Sequence, residues 1–323
     1  MKTIRWGLIG CGKVAEVKSG PAYQQTEGFE LAAVMRRDLD KARDFAHRHG
    51  VAKAYGSADA LIGDDDIDAV YIATPPDSHE RYALAVAAAG KICCIEKPMA
   101  PTHGACVRMC EAFERAGRPL FVAYYRRTLP RFEQVRHWLA DGAIGELRHV
   151  HWQLTRPASN WDLTGHPHWR TDPQVAPGGY FDDLASHGLD LLIYLVGDIE
   201  RASGCALNQQ GLYQVPDAVT AHWRHRSGVT GSGSWHFGAA RRDDRVEITG
   251  SQGEIIFSVF ADVPLRLRNA GGEHTLRIEN PDPIQGDHVA AMYRQLAGSG
   301  AHPSTGRSAA HTTWVMEEIL GGD

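Results

Sequence analysis

Asp183 and His187 stand four residues apart in a segment with strong helical periodicity, residues 180–196. On a helix, side chains at this spacing share one face and can touch. A carboxylate can orient an imidazole and stabilise its protonated form, and the pKa of histidine suits proton transfer near pH 7. The pair suggests general acid–base chemistry, although such a pair standing alone is most often an ordinary solvated one. Asp190, three residues further on, is expected near the same face, where it either supports the pair or contacts a substrate hydroxyl.

A second motif, G-C-G-K-V-A at residues 10–15, follows a short apolar run at the N-terminus. It matches G-x-G-x-x-G/A, in which the first glycine makes a tight turn and the second admits a pyrophosphate to the backbone. The phosphates would lie at the N-terminus of the next helix, where free N–H groups favour anions. We expect Gly10, Gly12, Lys13 and Val14 to contact a dinucleotide; a plain strand-to-helix turn is the alternative.

The end of the second predicted strand bears on which dinucleotide binds. NAD sites usually place Asp or Glu there for the ribose 2′-hydroxyl, whereas an arginine accommodates the 2′-phosphate of NADP. The chain has Arg36 at about this position, followed by Arg37, while Asp38 better suits a helix N-cap. We expect NADP(H) to be preferred, with NAD(H) possible; the alternative is that both arginines are solvated turn residues.

The elements that must position these residues alternate in type over the first part of the chain. Apolar runs predict strands at 4–9, 31–35, 69–73, 92–95 and 120–123, separated by helical patterns at 39–49, 78–89 and 104–116. Such alternation is typical of βαβ units with a parallel sheet. Lys97 follows the fourth strand, at the edge where open α/β sheets bind ligands. Gly20-Pro21 is expected to shorten or bend the first helix.

Beyond residue 124 the pattern changes. Helical patterns at 130–140 and 180–196 flank a strand-like run at 146–155, and seven strand-like runs then follow in series between 202 and 278. Two helices, at about 284–297 and 306–320, close the chain. Strands in series predict a largely antiparallel sheet. We predict an α/β protein with an N-terminal Rossmann dinucleotide-binding domain (1–123) and a C-terminal α+β domain (124–323) with a large, mainly antiparallel open sheet, the two packing around a cleft.

The composition narrows the functional classes. The 323 residues carry a formal net charge of −5, which argues against nucleic acid or an anionic membrane as the main partner. No apolar run approaches the roughly 20 residues of a membrane span. The polar N-terminus does not resemble a signal sequence, and the six scattered cysteines suit a reducing cytoplasm better than a disulfide framework.

Several motifs occur in a fixed order: the glycine motif, T-P-P-D-S-H at 74–79, E-K-P at 96–98, and G-G at 178–179 ahead of D-x-x-x-H at 183–187. Together they resemble the Gfo/Idh/MocA oxidoreductases over nearly the whole chain. The resemblance implies a Rossmann domain followed by an α+β domain whose open sheet often forms the interface of a homodimer or homotetramer. It also implies a small polyol or sugar substrate.

The resemblance assigns roles residue by residue. Lys97 matches the family's catalytic-site lysine, and Pro98 the proline that commonly follows a cis peptide bond there. Asp183 and His187 match the acid and the histidine of the second domain. The positions matched to the cofactor site are Thr74, Pro75, Pro76, His79, Glu96, Lys97, Trp169 and Arg170, and those matched to the substrate site are Lys97, Tyr125, Arg127, Asp183 and His187. The sequence Tyr125-Arg126-Arg127 departs from the Asn-x-Arg or Arg-Arg-Phe that the family often has there.

Histidine pairs at 149/151 and 166/168 lack a cysteine or carboxylate at a recognised ligand spacing, so no functional metal is expected. Trp161, His168 and Trp169 are instead expected to line the substrate pocket, since flat aromatic faces and polar edges suit a sugar. An ordinary core role for both tryptophans is the alternative.

These observations predict an NAD(P)-dependent oxidoreductase acting on a secondary alcohol or ketone of a sugar, anhydrosugar or cyclitol. Lys97 would polarise the reacting oxygen, and Asp183 with His187 would move its proton. Two alternatives stay open: a cofactor-bound sensor or regulator, and a nicotinamide-dependent glycosidase of the same fold. Sensors tend to lose the lysine or the histidine, and such glycosidases are usually longer. Relatives that oxidise aromatic dihydrodiols tend to carry tyrosine in place of His187.

Overall fold

The computed structural model describes residues 2–321, which divide into two compact units. The first unit runs to Leu129 and also includes Pro281–Ala310, and the second comprises Pro130–Asn280 and the residues from His311 onward. This division differs from the predicted one in two ways: the boundary lies at 129/130 instead of 123/124, and residues 281–310 return to the first unit. Long-range hydrogen bonds hold them there: Gln285 Nε2 donates to Glu96 Oε1 at 3.0 Å, and Ser304 Oγ to the carbonyl of Val122 at 2.8 Å.

The first unit is built on a six-stranded parallel sheet. Its strands are β1 (Ile4–Ile9), β2 (Phe29–Met35), β3 (Lys53–Tyr55), β4 (Ala69–Ile72), β5 (Ile92–Ile95) and β6 (Leu120–Val122), and their spatial order is β3-β2-β1-β4-β5-β6. The helices are α1 (Gly20–Gln25), α2 (Leu39–His49), α3 (Ala58–Ile62), α4 (His79–Ala88), α5 (His103–Ala116) and, after the return of the chain, α9 (Gly286–Leu296). The strand order reverses between β1 and β4, so the predicted Rossmann fold is confirmed. Sheets of this kind bind ligands in the crevice at such a reversal.

The residue patterns explain these elements. β4 is buried at every position and β5 at all but its first, as expected for strands covered by helices on both faces. Asp38 caps α2 as predicted, because its side chain accepts a hydrogen bond from the N–H of Lys41 at 3.2 Å.

The first helix is distorted where Gly20 and Pro21 occur. Residues 15–19 form a π-helical turn ahead of α1, and a Cβ at Gly20 would lie 2.5 Å from the carbonyl oxygen of Ala15. Proline has no N–H to donate within a helix, and a π-turn is a common way to accommodate such a break. The predicted irregularity is therefore present, but the helical path continues to Gln25.

The second unit contains an eight-stranded sheet. Its strands are β7 (Leu147–Thr155), β8 (Ile199–Leu207), β9 (Ala218–His225), β10 (Thr230–His236), β11 (Asp243–Gly250), β12 (Gly253–Phe257), β13 (Leu265–Asn269) and β14 (Gly272–Leu276), in the order β14-β13-β12-β11-β7-β10-β9-β8. Among the described strands of this second sheet, only β10 and β7 pair in parallel. The predicted mainly antiparallel sheet is thus confirmed.

Helices accompany this sheet: α6 (Pro130–Ala140), α7 (Asn160–Leu163), α8 (Tyr180–Val196) and α10 (Gly306–Leu320), the last crossing the division between the units. Fourteen of the seventeen residues of α8 are buried, including three aspartates and one histidine. Buried charged side chains are rare unless they are paired or functional, so α8 is a candidate to carry functional residues. None of the helices among residues 2–321 has the length and apolar character needed to cross a membrane.

Candidate active site

The glycine motif forms the turn after β1. Gly10 has φ of 95°, and a Cβ there would lie 2.9 Å from the carbonyl carbon and oxygen of Ala73, so no larger residue fits. A Cβ at Gly12 would meet only the carbonyl oxygen of Gly10, at 3.9 Å. Helical structure begins immediately afterwards, at the exposed residues Lys13 and Val14. The turn therefore has the open backbone and the helix start that a pyrophosphate requires.

Arg36 is the first residue after β2 and is exposed, as is Arg37. Burial raises the pKa of the Cys11 thiol, and the positive charge of Arg36 counteracts this, which places the guanidinium within electrostatic range of the glycine turn. The carboxylate of Asp38 is engaged by α2 and its ion pair with Lys41. The end of β2 therefore presents positive charge beside the turn.

The loop after β4 is tied to the loop after β5 by His79, which is completely buried. Its Nε2 lies 2.8 Å from the carbonyl oxygen of Thr74, and its Nδ1 lies 3.2 Å from the carbonyl oxygens of both Pro98 and Met99. Pro76 is also buried, whereas Pro75 is exposed. His79 thus lies behind the predicted cofactor loop, and its contacts are to main-chain atoms.

The residues of the E-K-P motif occupy different environments. Glu96 is buried and accepts hydrogen bonds from the hydroxyl of Tyr71 at 2.6 Å and from Gln285 at 3.0 Å. Its other oxygen accepts from the main-chain N–H of Lys97 at 3.1 Å. The Lys97–Pro98 peptide is cis, which confirms the expectation from the resemblance. Glu96 therefore anchors the loop, while the partly exposed Lys97 stands at the carboxyl end of β5.

In the second unit, the acid of the proposed pair is bound to an arginine. Asp183 is 7% exposed, and its Oδ2 accepts a hydrogen bond from Nε of Arg170 at 2.6 Å. His187, one turn later on α8, is 6% exposed, and its ring packs edge-on against Phe260. A buried carboxylate with a cationic partner stays ionised and can orient a neighbouring imidazole.

The other aspartates of α8 have structural partners. Asp190 is fully buried and accepts a hydrogen bond from the hydroxyl of Thr312 on α10 at 3.0 Å. Asp182 accepts from the N–H of Gly178 at 2.7 Å, and burial raises its pKa to about 7. A Cβ at Gly178 would lie 2.4 Å from Oδ1 of Asp182, so the glycine makes room for this carboxyl group.

The remaining predicted site residues differ in exposure. Trp161 on α7 is 62% exposed, and the guanidinium of Arg170 lies 4.4 Å from the ring centroid of Trp169. Tyr125 and Arg127 are each 4% exposed, and Arg127 donates to the carbonyl of Pro303 at 2.9 Å within the first unit. The predicted substrate contact of Tyr125 and Arg127 stays a prediction.

The sequence interpretation did not include Asp162 and Tyr213. Asp162 is buried among hydrogen-bond donors that come from residues 159, 168 and 180. Tyr213 packs against Tyr180 from a loop some thirty residues away in sequence. The W-D dipeptide at 161–162, in a polar loop, was the one sequence feature that could have indicated Asp162. No motif near Tyr213 indicated a role for that residue.

Comparison with known proteins gives a consistent result. Residues 4–124 match the model of the Gfo/Idh/MocA oxidoreductase family with an NAD-binding Rossmann fold, and residues 132–256 match the model of a C-terminal domain of the same family. The chain is 37% identical to oxidoreductase P35 of Formosa agariphila over 98% of both chains. It is 30% identical to 1,5-anhydro-D-fructose reductase of Ensifer adhaerens over 94% of this chain and 91% of the relative.

Among solved structures, a levoglucosan dehydrogenase in complex with NADH and L-sorbose superposes with a TM-score of 0.89 at 22% identity. The match covers 98% of this chain and 95% of the other. At this level of identity the similarity establishes the shared fold.

Proposed function

Because the chain belongs to the Gfo/Idh/MocA family of oxidoreductases, we propose that it interconverts a secondary alcohol and a ketone of a sugar, anhydrosugar or cyclitol with a nicotinamide dinucleotide. The observation that carries the proposal lies in the first unit. Gly10 follows β1, Thr74 follows β4 and Lys97 follows β5, so three adjacent parallel strands end at one edge with a phosphate-binding turn, a loop and a lysine. Ligands of open α/β sheets bind at this edge.

The dinucleotide would be held by the glycine turn, by the loop at residues 74–76 and by Arg36. When bound, the nicotinamide supplies the hydride acceptor or donor. The ammonium of Lys97 polarises the reacting oxygen and stabilises negative charge on it. His187 removes or returns the hydroxyl proton, and Asp183 orients the ring and stabilises its protonated form.

The preference for NADP(H) over NAD(H) is part of this proposal. The end of β2 carries two exposed arginines, and Asp38, the acid that follows them, caps a helix. A 2′-phosphate bears negative charge and acceptor oxygens that a guanidinium binds well, whereas a ribose 2′-hydroxyl is usually bound by an acid.

We also propose a cytoplasmic homodimer or homotetramer assembled through the eight-stranded sheet. Alternate residues of β9 and β10 are exposed or half-buried and polar, as on a sheet with one open face. All six cysteines are free, and five of them are buried, which is typical of proteins from a reducing compartment.

A substrate screen tests the proposal. Sugars, anhydrosugars such as levoglucosan, and cyclitols are offered with NADP⁺ and NAD⁺, and the corresponding ketones with NADPH and NADH, while reduced nicotinamide absorbance is followed. The expected result is stoichiometric net redox change with at least one carbohydrate. Binding of a dinucleotide without turnover of any carbohydrate would contradict the proposed activity, and glycoside cleavage without net redox change would identify the glycosidase alternative.

A further inference from the structure

A buried polar cluster in the second unit has no part in the proposed chemistry. The carboxylate of Asp162 accepts hydrogen bonds from the hydroxyl of Tyr180 at 2.9 Å and from Nε2 of His168 at 3.0 Å. It also accepts from the N–H and the hydroxyl of Ser159, at 3.0 and 2.6 Å. Burial raises the pKa of Asp162, but the hydrogen bonds from Ser159 and His168 outweigh this and lower it. The carboxylate is therefore ionised and held by several donors.

This carboxylate determines the tautomer of His168. An ionised carboxylate can only accept hydrogen bonds, so the proton of a neutral His168 ring resides on Nε2. Nδ1 is then an acceptor, and it is buried without a hydrogen-bond partner in a side chain that is 10% exposed. A buried acceptor of this kind is costly unless a bound group donates to it.

Tyr213 carries a second buried atom without a partner, its hydroxyl. The rings of Tyr213 and His168 both pack on Tyr180, with centroid separations of 6.1 and 5.7 Å. Burial raises the pKa of the Tyr213 hydroxyl, and the negative charges of Asp217 and Asp162 raise it further. The hydroxyl therefore stays protonated and can donate.

The two groups together define the ligand chemistry. Nδ1 of His168 needs a donor, and the Tyr213 hydroxyl can donate to an acceptor. We propose that they bind one hydroxyl group, or two adjacent ones, of the carbohydrate substrate and thereby select polyhydroxylated substrates; this inference rests on the proposed function. A carboxylate could not donate to Nδ1 and would be repelled by Asp162, and an ammonium could not accept from Tyr213.

The location agrees with this role. Tyr180, Asp183 and His187 are spaced i, i+3 and i+7, so they share one face of α8 and span about 10 Å along it. The loop from His168 to Arg170 runs beside this face, since His168 bonds Asp162 and Tyr180 while Arg170 bonds Asp183. The hydroxyl subsite therefore adjoins the proposed acid–base pair.

The exposed ring of Trp161 packs against His168. Its ring packs edge-on against His168 with a centroid separation of 6.0 Å, and it is 62% exposed on a helix of only four residues. We infer that the substrate displaces this indole to reach Nδ1. The displaced ring then offers an apolar face to the C–H groups of a sugar.

The test compares wild type, Tyr213→Phe and His168→Gln, with Tyr194→Phe as the matched control because that hydroxyl lies on α8 and donates to Glu133. Each protein is assayed with the best carbohydrate from the screen and with its deoxy analogues, each lacking one hydroxyl. Removing one neutral hydrogen bond is expected to lower kcat/KM about tenfold. Wild type should show this loss with the analogue that lacks one particular hydroxyl, or with the two analogues that lack adjacent hydroxyls. Tyr213→Phe should show the same tenfold loss with the parent substrate, and its kcat/KM should not fall further with that analogue.

Two results would overturn the subsite while leaving the proposed function intact. One is unchanged kcat/KM in Tyr213→Phe and His168→Gln. The other is a uniform loss with the parent and every analogue, which would indicate that the pair holds only a structural water. If wild type binds a dinucleotide but oxidises no carbohydrate, the proposed function fails and the subsite with it. Melting temperatures of both variants separate these outcomes from misfolding.

Discussion

Nε of Arg170 lies 2.6 Å from Oδ2 of Asp183, so the carboxylate one turn before His187 has a guanidinium as its partner. The aspartate side chain is 10% exposed and that of the arginine 36%. A buried carboxylate left without its cation is strongly disfavoured and takes up a proton more readily. Arg170 is predicted to contact the cofactor; in the structure it bonds Asp183, and a guanidinium in this position favours the ionised carboxylate that the proposed acid–base pair uses.

Replacing Arg170 by Met is therefore expected to lower kcat by about tenfold or more, through a protonated or displaced Asp183. The pH profile of kcat should shift as well, which loss of packing alone would not cause. Arg148→Met is the control, since Arg148 forms an exposed ion pair with Glu146 in the same unit. Wild-type kcat and an unchanged pH profile for Arg170→Met would show that Asp183 acts without this partner.

Arg36 is expected to determine the cofactor preference. Removing its guanidinium in Arg36→Ala should weaken NADPH binding about tenfold to hundredfold, the value of a charge-assisted hydrogen bond, and leave NADH binding within about threefold. Isothermal titration gives both dissociation constants. Arg43→Ala, an exposed arginine of α2 paired with Asp40, should change neither. A wild-type enzyme that binds NADH more tightly than NADPH would refute the assignment.

His79 is expected to act by holding two loops together. His79→Phe removes its contacts to the carbonyls of Thr74, Pro98 and Met99 and frees the loop that carries Lys97. Because small misplacements of catalytic groups are costly, kcat should fall about a hundredfold, with a smaller change in cofactor affinity. His79→Gln, whose amide can still donate, should recover part of the loss, and the exposed His274→Phe should show none. Equal kcat in all four proteins would rule out a positioning role.

Asp182 should make stability depend on pH. Its pKa is about 7 in the folded protein and about 4 in an unfolded chain. Between these values the folded state keeps a proton that the unfolded state has lost, so stability falls as pH rises, by up to about 4 kcal/mol. Asp182→Asn cannot ionise. The free energy of unfolding of this variant, measured in urea relative to that of wild type, should therefore be higher at pH 8 than at pH 5. Asp198→Asn, an exposed control, should show no such difference. A parallel pH dependence of wild type and Asp182→Asn would contradict the burial argument.

Features governed by local rules could be predicted from the sequence. Gly10 follows from the turn after an apolar strand, Asp38 from helix capping, and α8 from its periodicity, and each is present. The resemblance to the family also predicted the cis peptide bond between Lys97 and Pro98 correctly.

The partners of buried polar groups could not be predicted, because they come from distant parts of the chain. Glu96 is bound by Gln285, 189 residues away, and the predicted division into domains did not include this return of residues 281–310 to the first unit. Tyr213 reaches the His168 cluster only through the packing of its loop on Tyr180. The burial of Tyr125 and Arg127 also depends on such distant packing, since Arg127 donates to the carbonyl of Pro303.

The central claim is that Lys97 and His187 act on the reacting oxygen. The most direct measurement is the turnover of Lys97→Ala and His187→Ala on a confirmed carbohydrate substrate, together with dissociation constants for the dinucleotide. Loss of transition-state interactions should lower kcat about a hundredfold or more in each variant, with cofactor affinity changed less than about threefold. Near-normal turnover of both variants would contradict the account.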